Sequence, residues 1–211
     1  MGSYYKNADV FLDRIDPGIW VEIGVERGEG STRWFVDQSK NRATHFYAVD
    51  AMKEQTDNCK ALLTQDGAMP ENTTVVNTRG EYFLEQMQTT IGQDRISLAY
   101  LDNFDWDYWL GGEEEGFVSE VKQRYLKNLG IDMTNLHSQL THLAQAINLH
   151  SMLAEHCLVI CDDTWYEPDQ GVFMGKCSAA IPFLMLTCKL DLLHNEGYRQ
   201  NSGVILGRLR D

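Results

Sequence analysis

Apolar positions along this chain fall into short, nearly unbroken runs set between amphipathic stretches. Residues 19–23, 44–49, 73–78, 96–101 and 157–161 read as strands; the fourth is apolar almost throughout, as a strand covered on both faces should be. Helical patterns lie between them: from Ser31 to about Ser39, from near Lys53, over 82–90, over 134–154, and from near Lys176 through Leu184. Residues 1–14 read as a short edge helix closed by Asp16-Pro17-Gly18, and 190–194 with 203–209 as a terminal hairpin. The 134–154 helix carries Leu136, Leu140, Leu143, Ile147 and Ala154 on one face, which should be its core face. On that reading His150 is a core histidine and His142, opposite, faces solvent.

Alternating strands and helices imply an α/β domain, a doubly wound, mainly parallel seven-stranded sheet with a C-terminal antiparallel hairpin. Residues 103–132 interrupt the alternation. Phe104-Asp105-Trp106-Asp107-Tyr108-Trp109 is dense in rings and acids, and 111–116 is an acidic glycine turn. So long a segment between strand and helix reads as an insertion acting as a lid over the active site. At 211 residues, a single domain spanning 1–211 is expected.

Charge narrows the partners. A net charge of −13, from 18 basic and 31 acidic residues without a basic cluster, argues against a nucleic-acid substrate. Five cysteines without CxxC spacing read as free buried thiols of a reducing compartment. The longest apolar run, around 179–188, is too short to span a bilayer and carries Pro182. A cytoplasmic protein without membrane attachment is the expectation, with homo-oligomerisation left open.

The chemistry begins after the first strand. Gly24, Gly28 and Gly30 form a turn entering a helix at Ser31, a layout that brings a nucleotide-like ligand against bare backbone. A dinucleotide fingerprint would place glycine where this chain has Glu26, and Glu22 and Glu29 flank it. Three carboxylates repel a pyrophosphate, so a cationic ligand such as S-adenosylmethionine suits the loop better. Glu22-Ile23-Gly24-x-x-x-Gly28-x-Gly30-Ser31 resembles the first motif of the class I S-adenosylmethionine-dependent methyltransferases, in the form found in small-molecule O-methyltransferases. That fold is Rossmann-like, and the resemblance covers nearly the whole chain. It implies that Glu22, Gly24, Gly28 and Ser31 hold the methionine part of the cofactor, with Glu26 and Asp102 also among the cofactor-binding residues. Asp50, ending the second strand, is placed to accept both ribose hydroxyls, with capping of the next helix as the alternative. Arg79, Gly80 and Glu81 would lie along the adenine.

Three further acids end strands: Asp102 after the fourth, Asp162 and Asp163 after the fifth. If those strands are neighbours the acids converge and need a cation between them; oxygen-only ligands select a hard ion, Mg2+ first. The arrangement resembles the metal site of catechol O-methyltransferase and of macrocin O-methyltransferase. The catechol enzymes carry a lysine base where this chain has Asp105, which leaves the base between Asp102, Asp105 and the metal alone. The alternative for the acid pair is helix capping. Trp106, Trp109, Trp165 and Tyr166 are acceptor-pocket walls by position. The expected function is Mg2+-assisted methyl transfer to a hydroxyl of a small molecule. A non-catalytic cofactor-binding protein and a nicotinamide-dependent oxidoreductase are the alternatives.

Overall fold

The computed structural model of the chain describes residues 4–26, 28–65, 69–107, 115–196 and 202–211. Trp109 and residues 111–114 of the acidic turn fall outside that range. Strands β1 (Ile19–Ile23), β2 (Phe46–Asp50), β3 (Thr73–Asn77), β4 (Ile96–Leu101) and β5 (Leu153–Asp162) run parallel. A small antiparallel hairpin follows, β6 (Thr164–Glu167) with β7 (Val172–Gly175). The chain ends in β8 (Asp191–Glu196) and β9 (Gly203–Arg208), and β9 inserts antiparallel between β5 and β8. The main sheet therefore has seven strands in the order β3-β2-β1-β4-β5-β9-β8.

Period-two alternation assigns the faces. Trp20, Phe46, Ala48, Leu98, Leu158 and Ile160 pack beneath α1 (Ser31–Asn41), α2 (Lys53–Leu63) and an N-terminal 3₁₀ helix, Tyr4–Arg14. Val21, Ile23, Val49, Ala99, Leu101 and Val159 point the other way, toward α3 (Gly80–Thr90), α5 (Asn135–His150) and α6 (Ala180–Thr187). Helix α4 (Glu115–Leu129) joins a third cluster, in which Val121 and Tyr125 meet Met52, Phe104 and Met133. Met52 follows the end of β2 and Phe104 the end of β4, so Val121 and Tyr125 of α4 lie against the carboxyl ends of those strands.

Three expectations need correction. The helix expected over 134–154 stops at His150, and Ala154 belongs to β5. The last helix starts at Ala180 rather than near Lys176, because the β6–β7 hairpin occupies the chain before it. The face assignment of α5 is inverted. Leu136, Leu140 and Ile147 are exposed, His142 is fully buried and His150 is exposed. The inner face of α5 abuts the polypeptide leaving β4, whose polar groups need partners there. Ser138 Oγ donates to the Phe104 carbonyl at 3.1 Å, and Gln145 Nε2 donates to Asn103 Oδ1 at 2.9 Å.

All five cysteines are buried and free. Among the described residues, no helix is long and apolar enough to cross a membrane.

Candidate functional site

The chain leaves β1 for β2 on one side and returns to β4 on the other, so a topological switch point lies between β1 and β4. Ligands of open α/β sheets bind at such points, outside the carboxyl ends of the strands. Gly24 sits there with φ +96°, its N–H donating to the Val49 carbonyl at 2.8 Å. A Cβ at Gly24 would lie 2.6 Å from the Asp102 carbonyl and from the Asn103 nitrogen, so the loop and the end of β4 touch backbone to backbone. Gly28 presses likewise on Cys59 of α2, at 2.9 Å, and Gly80 on Ile23, at 2.2 Å. These two glycines seat helices against the loop and do not wall the cavity.

Glu22 shares the face of Trp20 and points under the loop, fully buried. Burial pushes its carboxyl up to about 8; the Ser31 and Thr32 hydroxyls draw it down, and Asp102 and Asp50 add to the rise. Neither Glu22 oxygen completes a hydrogen bond of good geometry to those hydroxyls. Glu22 and Ser31 thus lie behind the cavity wall, while Glu26, with φ +46°, forms part of it.

Asp50 gathers the loop. Its Oδ2 accepts from the Val25 N–H at 3.1 Å and its Oδ1 from the Met52 N–H at 2.8 Å. Burial raises its carboxyl pKa, against the lowering by the backbone donors of Met52, Val25 and Glu26. The carboxylate still lines the cavity and retains lone pairs for a ligand hydroxyl. Asp50→Ala should therefore both loosen the loop and weaken binding of an adenosine ligand, by about 2–4 kcal/mol in affinity for S-adenosylhomocysteine. Calorimetry checks this; an affinity unchanged from wild type would mean that Asp50 serves the loop alone.

The three strand-end acids do converge: ligand atoms of Asp102, Asp162 and Asp163 all lie within 4.8 Å of one another. A cation already stands among them. Lys176 Nζ lies 2.9 Å from Asp102 Oδ1 and 2.8 Å from Asp163 Oδ2, on a side chain only 3% exposed. The Tyr100 hydroxyl donates to the other Asp102 oxygen at 3.2 Å. Burial raises the carboxyl pKa of Asp102 despite the ammonium, and burial with its two acidic neighbours raises that of Asp162 further. Lys176 faces two of the three acids, and Asp162 stands beside them as the third. Burial lowers the Lys176 pKa, but Asp102, Asp163 and Asp162 together carry it well above the ordinary lysine value, so it stays an ammonium. As the residues stand, a divalent ion here would compete with Lys176 for the Asp102 and Asp163 oxygens.

The β6–β7 hairpin delivers that lysine, and it left no signal in the periodicity. Thr164 pairs with Gly175, the Lys176 N–H donates to the Asp163 carbonyl at 3.1 Å, and the Cys177 N–H to Thr164 Oγ1 at 3.0 Å. The turn signal of Gly171 was the available clue. His142, also passed over, is held by the Ser138 carbonyl at 2.7 Å, its Nε2 buried without a partner. Burial pushes its pKa down to about 4, so the ring is neutral.

A cavity of about 290 Å3 opens on this site. Of the expected residues it is lined by Gly24, Glu26, Asp50, Arg79, Glu81, Asp102, Asp105 and Asp163. Phe104 and Tyr125 supply its rings; Trp106, Trp165 and Tyr166 do not line it. Asp105 pairs with Arg124 of α4 at 3.5 Å, its backbone N–H donates to the Tyr125 hydroxyl at 3.1 Å, and Arg79 donates to the Leu129 carbonyl at 3.0 Å. Six carboxylates (Glu26, Asp50, Glu81, Asp102, Asp105, Asp163) face three cations (Arg79, Arg124, Lys176), a balance that suits a cationic ligand and disfavours a pyrophosphate.

No protein-family model matches the sequence, and no curated protein does. Solved structures match it along its length at low identity. A glycopeptide N-methyltransferase complexed with S-adenosyl-L-homocysteine is 9% identical, with a TM-score of 0.57 over 100% of this chain and 90% of its own. The magnesium protoporphyrin IX methyltransferase of Synechocystis PCC 6803, with bound S-adenosylhomocysteine, is 10% identical, with a TM-score of 0.52 over 99% and 80%. The N-methyltransferase NodS of Bradyrhizobium japonicum WM9 is 9% identical, with a TM-score of 0.51 over 99% and 93%. What this chain shares with them is the Rossmann-like methyltransferase fold, its seven-stranded sheet closed by an antiparallel pair.

Proposed function

We propose that this chain is an S-adenosylmethionine-dependent methyltransferase acting on a hydroxyl of a small molecule. The observation that carries the reading is the acidic cavity at the switch point, built on a glycine whose missing Cβ lets the loop meet the end of β4. Glu26 and Asp50 would meet the cofactor's methionine and ribose parts, Glu81 its adenine, and Asp102 the region of the sulfonium. Glu22, Gly28, Ser31 and Gly80 would act through the loop and helix positions that they set. Bound S-adenosylmethionine would supply a methyl group on a cationic sulfur.

Asp105 is the base we favour, since Asp102 is engaged by Lys176 and by the Tyr100 hydroxyl. With the methyl group supplied by the bound cofactor, the Asp105 carboxylate would accept the proton that the acceptor hydroxyl gives up. Alignment is the main contribution of the protein to such a displacement. Helix α4, resting on Met52 and Phe104, would be the lid that excludes water. The small cavity and the net charge of −13 favour a small acceptor over a nucleic acid.

The test is calorimetric titration with S-adenosylhomocysteine and with NADH, followed by transfer of labelled methyl groups to a panel of hydroxylated metabolites. Micromolar binding of the first, none of the second, and label on oxygen are expected. Failure to bind S-adenosylhomocysteine, or tight binding of NADH, would sink the reading.

A further inference from the structure

The acid cluster of Asp102, Asp162 and Asp163 has the composition of a hard-metal site but not the vacancy of one. Mg2+ requires oxygen ligands at about 2.0–2.1 Å in near-octahedral array. An ion seated among these carboxylates would stand within a few ångströms of Lys176 Nζ, which already bonds at 2.9 and 2.8 Å to the two acids that line the cavity. Two positive groups would then compete for the same oxygens. Lysines are almost never so buried unless paired, and this one is paired with two carboxylates.

The backbone is shaped to hold it there. Asp163 adopts φ +47° and Gly175 φ +94°, both in the left-handed range that side chains disfavour. A Cβ at Gly175 would lie 2.0 Å from the Asp163 carbonyl, so the hairpin closes tightly enough to require glycine. That closure sets Lys176 directly beside Asp163, whose carbonyl accepts the Lys176 N–H.

We propose that Lys176 is the resident cation of the Asp102–Asp162–Asp163 cluster, a positioning residue that takes the place of a divalent metal ion. The cluster's geometry carries this inference on its own; only its bearing on catalysis rests on the methyltransferase reading. On that reading, methyl transfer continues in EDTA.

The experiment is titration of the full-length chain with Mn2+ alone, followed by electron paramagnetic resonance, in wild type and in Lys176→Met. Methionine keeps the length and removes the charge. Wild type should show no site tighter than about 1 mM, whereas Lys176→Met should bind one Mn2+ per chain at least about tenfold more tightly, since three oxygen donors lose their internal counter-ion. Stoichiometric Mn2+ binding by wild type, abolished in Asp163→Asn, would overturn the proposal. So would a folded Lys176→Met that binds no better than wild type. If the variant does not fold, the wild-type titration decides alone. Neither measurement involves methyl donor or acceptor, so a failure here and a failure to bind S-adenosylhomocysteine are separate results.

Discussion

Glu22→Gln should leave stability unchanged near pH 4.5 and make the protein more stable than wild type near pH 8. The cause is a carboxyl buried beneath the glycine loop and pushed up to about 8 in the folded chain, against about 4.5 when the chain is unfolded. Between those values the folded state holds a proton that the unfolded state has lost. The stability that protonated Glu22 contributes is therefore whole below about pH 4.5, falls as pH rises, and is gone above about pH 8. The slope is about 1.4 kcal/mol per pH unit, and the sum is on the order of 4 kcal/mol. Glutamine has the same shape, does not titrate, and can donate to the Ser31 and Thr32 hydroxyls. Urea unfolding of both proteins across this range checks the point, because other titrating groups cancel in the difference. Parallel curves would mean that Glu22 is ionised in the folded state.

The same residue marks how far the sequence could be read. The runs ending in Asp50, Asp102 and Asp162 were legible because strands covered on both faces are apolar until they reach the sheet edge, where an acid stands out. The glycine turn was legible beside them, whereas convergence of the acids was conditional on β4 and β5 being neighbours, which the strand order supplies. Glu22 was legible as part of the loop but not as a residue behind it. Its direction follows from β1 parity with Trp20, which faces α1 and not the cavity.

Two other features were hidden for different reasons. Hydrophobic periodicity assigns a helix its inner face by assuming that what lies inside is apolar. Helix α5 packs on the chain leaving β4, so Ser138, His142 and Gln145 turn inward while Leu136, Leu140 and Ile147 turn out. Lys176 was hidden by distance. It lies 74 positions from Asp102 in sequence and reaches it only through a hairpin of two four-residue strands that periodicity cannot distinguish from a loop. The sequence pattern called for Mg2+ among the three acids; it could not show that Lys176 pairs with two of them.

That hairpin yields the other large effect. Gly175→Ala should destabilise the protein by about 3 kcal/mol or more, against about 1 kcal/mol for Gly171→Ala in the same hairpin. Both glycines have positive φ, +94° and +68°, so both substitutions strain the backbone. They differ in what the new methyl meets. At Gly171 the nearest atom is the Tyr166 hydroxyl oxygen, at 3.9 Å, ordinary contact. At Gly175 it is the Asp163 carbonyl oxygen at 2.0 Å, with Thr164 Cα at 2.9 Å, and backbone atoms cannot swing aside. Relief requires Thr164 and Gly175 to part, which breaks the Lys176 N–H bond to Asp163 and draws the ammonium from the acids. Buried carboxylates then lose their partner, which adds to the steric cost. Urea unfolding of the two variants at neutral pH makes the comparison. Equal losses would show that the hairpin closes less tightly than the Asp163–Gly175 contact requires, and that the lysine is held by its charges alone.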